Sequence, residues 1–140
     1  MAELSLTVSR TIDAPIESVY NAWLDPDTLA KFMLPGPGMS VPSAENDARE
    51  GGRFSILMQG KDDSYPHGGE YLSLKPYSQI IFTWESPFSI DGSTVTINLN
   101  DVSGGTLIEL THVKFADEES RNNYHGGWTS ILECLEDVLK

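Results

Sequence analysis

The sequence is poor in cysteine and in basic residues. Of its 140 residues one is a cysteine, Cys134, and lysine plus arginine number 9 against 21 acidic residues. A single cysteine excludes an internal disulfide and gives no reason to place the protein outside the cytosol, so we predict a cytoplasmic location. The net charge of −12 would repel polyanions. We therefore expect neither nucleic acid nor a membrane surface as a partner.

Long apolar runs are also lacking. No stretch approaches the roughly 18 apolar residues that cross a bilayer, and the start, Met1 to Leu4, does not show the basic-then-apolar plan of a signal peptide. Hydrophobic residues nevertheless make up 39% of the chain, which is long enough to bury a sizeable core. We predict one soluble domain over residues 1–140.

Residues that could bind a metal or attack a substrate are too scattered for a recognisable site. His67, His112, His125 and Cys134 include no pair of ligands separated by two to four residues, which zinc sites commonly have. No serine lies in a Gly-x-Ser-x-Gly motif. We assign Cys134 to packing as a small hydrophobic residue, and we predict no metal and no cofactor.

The last third of the chain carries the clearest pattern. Residues 106–112 alternate as a strand does, and acidic residues 117–119 then open a helical run. Gly126 and Gly127 interrupt this helix at a cost of about 1 kcal/mol each relative to alanine, so we interpret them as a notch for close backbone contact or empty space. The apolar residues that form one helical face are Tyr124, Trp128, Ile131, Leu132, Leu135, Val138 and Leu139.

The first third predicts one strand and two short helices. Residues 4–10 alternate. We expect Asp13 to cap a helix that accepts Pro15 in its first turn, and Asp25-Pro26 to separate it from a second short helix. Residues 35–47 are rich in helix and strand breakers, which predicts a long loop with at most a short edge strand.

The middle of the chain predicts a meander of short strands. Two segments are read as connections: residues 61–69 as a turn or hairpin loop, and residues 101–105 as a tight hairpin turn. Strands with brief links, followed by a helix, indicate an antiparallel α+β domain. The irregular segments 35–46 and 61–69 are candidate gates to an interior space. The predicted strands are residues 53–58, 70–74, 79–84, 93–99 and 106–112.

Four segments together resemble a known family. They are Arg10 through Trp23, Asp47-Ala-Arg-Glu-Gly-Gly-Arg-Phe54, a hairpin of Gly69 through Pro76 and Ile81 through Glu85, and Thr106 through the His-Gly-Gly-Trp motif that ends at Trp128. In this order and spacing they resemble the activator of Hsp90 ATPase homologue 1-like domains of the Bet v 1-like or START-like superfamily. One departure is that Phe32-Met-Leu-Pro35 stands where the family often has a tryptophan pair before the proline, so we expect a differently lined pocket mouth.

The resemblance implies a helix-grip fold. It consists of a curved antiparallel sheet of six or seven strands around a long C-terminal helix, with two short helices after the first strand and an apolar cavity between sheet and helix. Activities in the superfamily range from lipid binding to polyketide cyclisation. The resemblance does not by itself imply that this domain activates a chaperone.

We predict that inward-facing aromatic and apolar residues line this cavity, which would measure a few hundred cubic ångströms. Each aromatic residue would equally suit an ordinary core position, and Arg53 is expected to pair with Glu85 or Glu70. The predicted lining is Trp23, Phe32, Phe54, Tyr71, Phe82, Trp84, Leu110, His112, His125, Gly127, Trp128 and Ile131.

Three functions fit the sequence. The leading hypothesis is a non-enzymatic domain that holds a small hydrophobic or amphipathic molecule, as a monomer or weak homodimer. The second is a cyclase or hydrolase in which His112 or His125 moves protons. The alternative to this second hypothesis is that each imidazole has only a structural role and is bonded to backbone or to a carboxylate such as Glu85. The third is a chaperone-associated interaction module with an acidic surface and a co-chaperone-like or stress-response role.

Overall fold

Strands and helices occur in the order that the sequence predicts. A computed structural model describes residues 4–36, 38–87 and 89–139. The first strand is followed by two short helices, six further strands and one long helix. The elements are β1 (Ser5–Ile12), α1 (Ile16–Ala22), α2 (Pro26–Phe32), β2 (Ser40–Asn46), β3 (Arg53–Gln59), β4 (Ser64–Lys75), β5 (Gln79–Thr83), β6 (Thr94–Val102), β7 (Gly105–Val113) and α3 (Glu118–Leu139).

The strands form one curled antiparallel sheet in the order β1-β7-β6-β5-β4-β3-β2. The first two strands lie at opposite edges, and α1 and α2 connect them. Register shifts occur between Ser40 and Ser43 in β2 and between Tyr71 and Ser73 in β4, and such irregularities bend a sheet. The predicted α+β helix-grip fold is therefore confirmed.

The inner face of the sheet carries continuous rows of buried side chains. Alternation with a period of two places these residues on one face of each strand, and the strand register aligns them across four or five strands. One residue in these rows, His112, is polar and fully buried. The rows are Val8, Leu110, Ile97 and Ile80, and beside them Leu6, His112, Val95, Phe82 and Tyr71.

Helix α3 lies against this inner face. Its 22 residues span about 33 Å. Asp117 caps its N-terminus, because the Asp117 carboxylate accepts a 2.8 Å hydrogen bond from the backbone N–H of Ser120. Near its other end, Glu136 pairs with Arg10 of β1 at 2.8 Å. The helix buries Trp128, Ile131, Leu132 and Leu135.

Two local expectations in the first half are corrected. Asp13 does not cap α1: Pro15 occupies the N-cap position in an extended conformation, and no side chain there bonds the helix N-terminus. The predicted loop at 35–47 is shorter than expected, because β2 forms a seven-residue edge strand from Ser40. Pro37 of that loop lies outside the described residues.

The predicted loop at 61–69 is wrong for most of its length, because β4 begins at Ser64. Gly68 and Gly69 indicated a turn, but their role is close contact with the neighbouring strands β3 and β5. A Cβ on Gly69 would lie 2.0 Å from the carbonyl oxygen of Thr83 and 2.8 Å from a ring carbon of Phe54. Glycine is therefore required inside this strand, and the segment is not an irregular gate.

The buried glycine in β4 and an exposed glycine in α3 give opposite predictions. Gly69→Ala should lower the free energy of unfolding by about 1 to 3 kcal/mol, since its methyl group overlaps backbone and ring atoms. Gly126→Ala should raise it by about 0.5 to 1 kcal/mol, since nothing lies within 4 Å and helix propensity improves. Urea unfolding measures both; a Gly69→Ala variant as stable as the parent would contradict this packing.

Candidate ligand-binding cavity

A cavity lies between the N-terminal half of α3 and the β3–β4 side of the sheet. Its volume is about 540 Å³, within the range of small-molecule sites. Side chains from α3, from the segment after α2, from three positions on β3 and β4, and from the loops flanking β5 and β7 enclose it. We call it the α3 cavity; it is lined by Pro35, Met39, Met58, Tyr65, His67, Trp84, Ala116, Asp117, Glu119, Ser120, Asn123, Tyr124, Gly127, Trp128 and Ile131.

The walls are aromatic and apolar, and the mouth is acidic. Trp84 and Trp128 stand side by side with ring centroids 5.0 Å apart. Asp117 and Glu119, in the exposed first turn of α3, supply carboxylates at the rim. None of the lining residues that the structure describes is lysine or arginine. The cavity therefore offers apolar surface but no fixed positive charge.

A buried hydrogen-bond chain fixes Trp128 against the sheet. The indole Nε1–H of Trp128 donates to Nδ1 of His112 over 3.0 Å. An indole nitrogen can only donate, so Nδ1 must accept, and the proton of the neutral imidazole lies on Nε2. That Nε2–H donates to Oγ of Ser93 over 2.6 Å. One strand residue thus connects α3 to the segment just before β6.

Burial keeps the His112 ring neutral. Desolvation lowers the pKa of His112 to about 4. Protonation of Nδ1 would also set two N–H donors against each other, because Trp128 already donates to that nitrogen. Both ring nitrogens of His112 are occupied within the protein, and its side chain does not line the α3 cavity.

His67 is a lining residue that the sequence analysis did not assign to the cavity. It lies in β4, inside the segment misread as a loop, and is 8% exposed. Its Nδ1 lies 2.9 Å from the carbonyl oxygen of Tyr65, so Nδ1 carries the proton and donates. Burial lowers the pKa of His67. The alternation of Tyr65, His67 and Gly69 was the signal that could have identified this strand face.

Two buried indole nitrogens lack hydrogen-bond partners among the described residues. They are Nε1 of Trp84, in the cavity wall, and Nε1 of Trp23, in the core beneath α1 and α2. A buried N–H without a partner costs about 1 to 3 kcal/mol. Trp84 is 2% exposed and lies 5.1 Å from His67 between ring centroids. Trp84 therefore lines the α3 cavity with an unpaired Nε1–H that is covered by protein atoms.

Only part of the predicted lining faces the cavity. Trp84, Gly127, Trp128 and Ile131 do so. The others fill the core or point outward, because the gap follows only the N-terminal half of α3 and these side chains lie elsewhere in the packed layers. The predicted residues that do not line the α3 cavity are Trp23, Phe32, Phe54, Tyr71, Phe82, Leu110, His112 and His125.

The predicted catalytic histidines are not placed for chemistry in the cavity. His112 is fully buried and bonded on both nitrogens. His125 is exposed on α3, where it lies about 100° around the helix from Tyr124 and about 60° from Trp128. No bond from His112 to Glu85 forms; Glu85 instead pairs with Arg53 at 2.6 Å, as predicted.

The two helix glycines have different surroundings. A Cβ on Gly127 would lie 3.3 Å from the Cβ of Pro35, so the notch admits the segment after α2. Gly126 faces open space. Pro35 also lines the cavity mouth. Phe32 begins the segment Phe32-Met-Leu-Pro35, which differs from the tryptophan pair common in the family, and its side chain is fully buried.

Other reactive features carry no site in the described residues. Cys134 is half-buried, and burial raises the pKa of its thiol, which disfavours a nucleophilic thiolate. No cluster of three or more potential metal ligands occurs among residues 4–36, 38–87 and 89–139. Within the same ranges, no helix has the length and apolar character to span a membrane.

Solved structures share this architecture. A crystal structure of a Chromobacterium violaceum protein is 29% identical, has a TM-score of 0.82, and the match covers 96% of each chain. A crystal structure of a Nitrosomonas europaea protein is 24% identical, with a TM-score of 0.83 over 97% of this chain and 94% of that one. The AHSA1-like protein of Aeromonas hydrophila, solved by NMR, is 22% identical, with a TM-score of 0.84 over 96% and 91%.

Fold and cavity define a helix-grip domain of the START-like class. Residues 13–140 match the family of activator of Hsp90 ATPase homolog 1-like proteins, and the chain belongs to this family. No curated protein matches the chain. Family and fold together support a small ligand-binding or co-chaperone-like domain.

Because His112 is neutral in the folded protein, we expect the free energy of unfolding to fall in acid. Its pKa in the folded protein, about 4, lies below the ordinary value of 6.5, so the unfolded chain binds more protons between these two pH values. The stability that depends on neutral His112 is complete above about pH 6.5 and declines by about 3 kcal/mol as the pH falls to about 4. Urea unfolding at a series of pH values measures this slope.

The same substitution at two histidines separates this effect from general acid sensitivity. His112→Asn should flatten the slope between pH 6.5 and 4, apart from the smaller contribution of His67, whose pKa is also lowered. His125→Asn makes the same substitution at an exposed position and serves as the matched control. Equal slopes in the parent and in His112→Asn would refute the assignment.

Proposed function

We propose that this domain binds a small hydrophobic or amphipathic molecule in the α3 cavity. The observation that carries the proposal is a volume of about 540 Å³ with aromatic and methionine walls inside an otherwise packed domain. Apolar surface that stays open in a folded protein commonly marks a binding site.

The position of α3 keeps this space open. Trp128 is held at the sheet by His112, and Arg10 binds Glu136 near the far end of the helix. These two contacts anchor the middle and the C-terminal half of α3, beside the gap over Met58 and His67. A ligand therefore meets a preformed site, which lowers the entropic cost of binding.

The available apolar surface is sufficient for useful affinity. Burying about 200 Å² of apolar ligand surface gives about 5 kcal/mol before the costs of association are subtracted.

The segment with Pro35 and Met39 borders the cavity mouth. Its role as a gate stays a prediction.

Among residues 4–36, 38–87 and 89–139, no arrangement favours turnover over binding. The enzyme hypothesis relied on His112 and His125, which are respectively bonded on both nitrogens and exposed. A chaperone-associated role is compatible with the family and with the net charge of −12, but no described surface contact supports it over ligand binding.

Adjacent glycines provide a matched test. Gly127→Leu should abolish binding of the neutral fluorophore N-phenyl-1-naphthylamine, since the leucine side chain would extend into the cavity mouth. Gly126→Leu adds the same side chain in open space and should bind like the parent. Both remove a helix glycine and so gain similar helix propensity. Fluorescence titration measures binding.

Pro35 lies close to Gly127, so the fold of the leucine variant must be checked by circular dichroism. Ser120→Phe blocks the cavity from the first turn of α3 and serves as a second variant. Equal binding by the parent and both blocked variants would refute the site. So would the absence of binding by the parent to this probe and to panels of fatty alcohols, sterols and aromatic polyketides.

A further inference from the structure

We infer that the α3 cavity selects ligands with an uncharged hydroxyl group, an alcohol or phenol, over carboxylates and over plain hydrocarbons. The inference rests on the proposed function, because it names the chemical class of the molecule bound at that site. It depends on His67, on the indole of Trp84 and on the charges at the mouth.

His67 presents a hydrogen-bond acceptor. Its Nδ1–H donates to the carbonyl oxygen of Tyr65, which leaves the lone pair on Nε2. No described residue bonds Nε2, although the ring is 8% exposed and lines the cavity. Because burial lowers the pKa of His67, the ring is neutral at pH 7 and Nε2 stays an acceptor. Its complement is a ligand O–H.

A hydrogen-bond donor lies in the same wall. Nε1–H of Trp84 is buried and has no partner among the described residues, and the Trp84 and His67 rings lie 5.1 Å apart between centroids. A hydroxyl group can donate its proton to His67 and accept a bond from an indole N–H. Since the indole nitrogen is fully covered, the second bond requires a small shift of the ring. The bond to His67 does not.

The surroundings of the cavity disfavour both a carboxylate and a plain hydrocarbon. Asp117 and Glu119 stand at the mouth, and none of the described lining residues is lysine or arginine, so a carboxylate would meet repulsion without a counter-ion. The lone pair on Nε2 of His67 would also face the anionic oxygen. A hydrocarbon fits the aromatic walls but covers Nε2 of His67 without giving it a partner, which costs affinity.

Three ligands of similar shape test the inference: 2-naphthol, naphthalene and 2-naphthoate, with affinities measured by isothermal titration calorimetry at pH 7.5. We expect 2-naphthol to bind about tenfold more tightly than naphthalene, the effect of one added hydrogen bond. We expect 2-naphthoate to bind most weakly. If naphthalene and 2-naphthol bind equally, or if 2-naphthoate binds best, the inference fails while the proposed function stands. If none binds, both fail.

Substitution of His67 separates its acceptor from its shape. In His67→Phe the preference for 2-naphthol over naphthalene should disappear, because the hydroxyl group loses its acceptor and the hydrocarbon no longer covers an unpaired nitrogen. His125→Phe, at the exposed histidine, should keep the order of the parent. A His67→Phe variant that still prefers 2-naphthol would overturn the assignment.

A measurement on the parent protein covers the case in which His67→Phe does not fold. The ¹⁵N chemical shift of His67 Nε2 should move upfield when 2-naphthol binds, as for a ring nitrogen that accepts a new hydrogen bond, and should stay in place with naphthalene. An unchanged shift at saturating 2-naphthol would overturn the inference.

Discussion

The hydrogen bond between Trp128 and His112 is the contact on which the cavity depends. It joins the middle of α3 to the end of β7, the strand beside the edge strand β1, over 3.0 Å, and both side chains are buried. Each such bond contributes only about 1 kcal/mol net, but loss of one partner leaves a buried polar group unsatisfied at a cost of about 1 to 3 kcal/mol. Because Ser93 occupies the other ring nitrogen of His112, the tautomer and the orientation of the ring are both determined. The position of the Trp128 ring in the wall of the α3 cavity is therefore fixed.

The two halves of α3 have different functions because they face different parts of the sheet. The C-terminal half buries Leu132 and Leu135 in the core and is tied to β1 by the pair of Arg10 and Glu136. The N-terminal half faces β3 and β4 across the α3 cavity, and its first turn supplies the acidic rim. A single helix therefore contributes both to the packed core and to one wall of the α3 cavity.

Local periodicity was sufficient to predict most of the fold. The apolar face of α3, the hairpin at 101–105 and the alternating strands are properties of neighbouring residues, and the structure confirms them. The segment 61–69 was misread because its glycines are required by close contacts with Thr83 and Phe54, which are distant in sequence. His67 was therefore missed. Likewise, sequence could not separate Trp84, which faces the gap, from Trp23, which fills the core. That difference depends on how far α3 stands from the sheet.

The most direct test of the account is the set of intermolecular nuclear Overhauser effects between bound 2-naphthol and the three indole rings. The α3 cavity has Trp84 and Trp128 in its wall, whereas Trp23 packs against Phe32 in the core at 5.0 Å between centroids. The account predicts contacts from the ligand to protons of Trp84 and Trp128 and none to Trp23. Contacts confined to Trp23, or to residues on the outer face of the sheet, would contradict it.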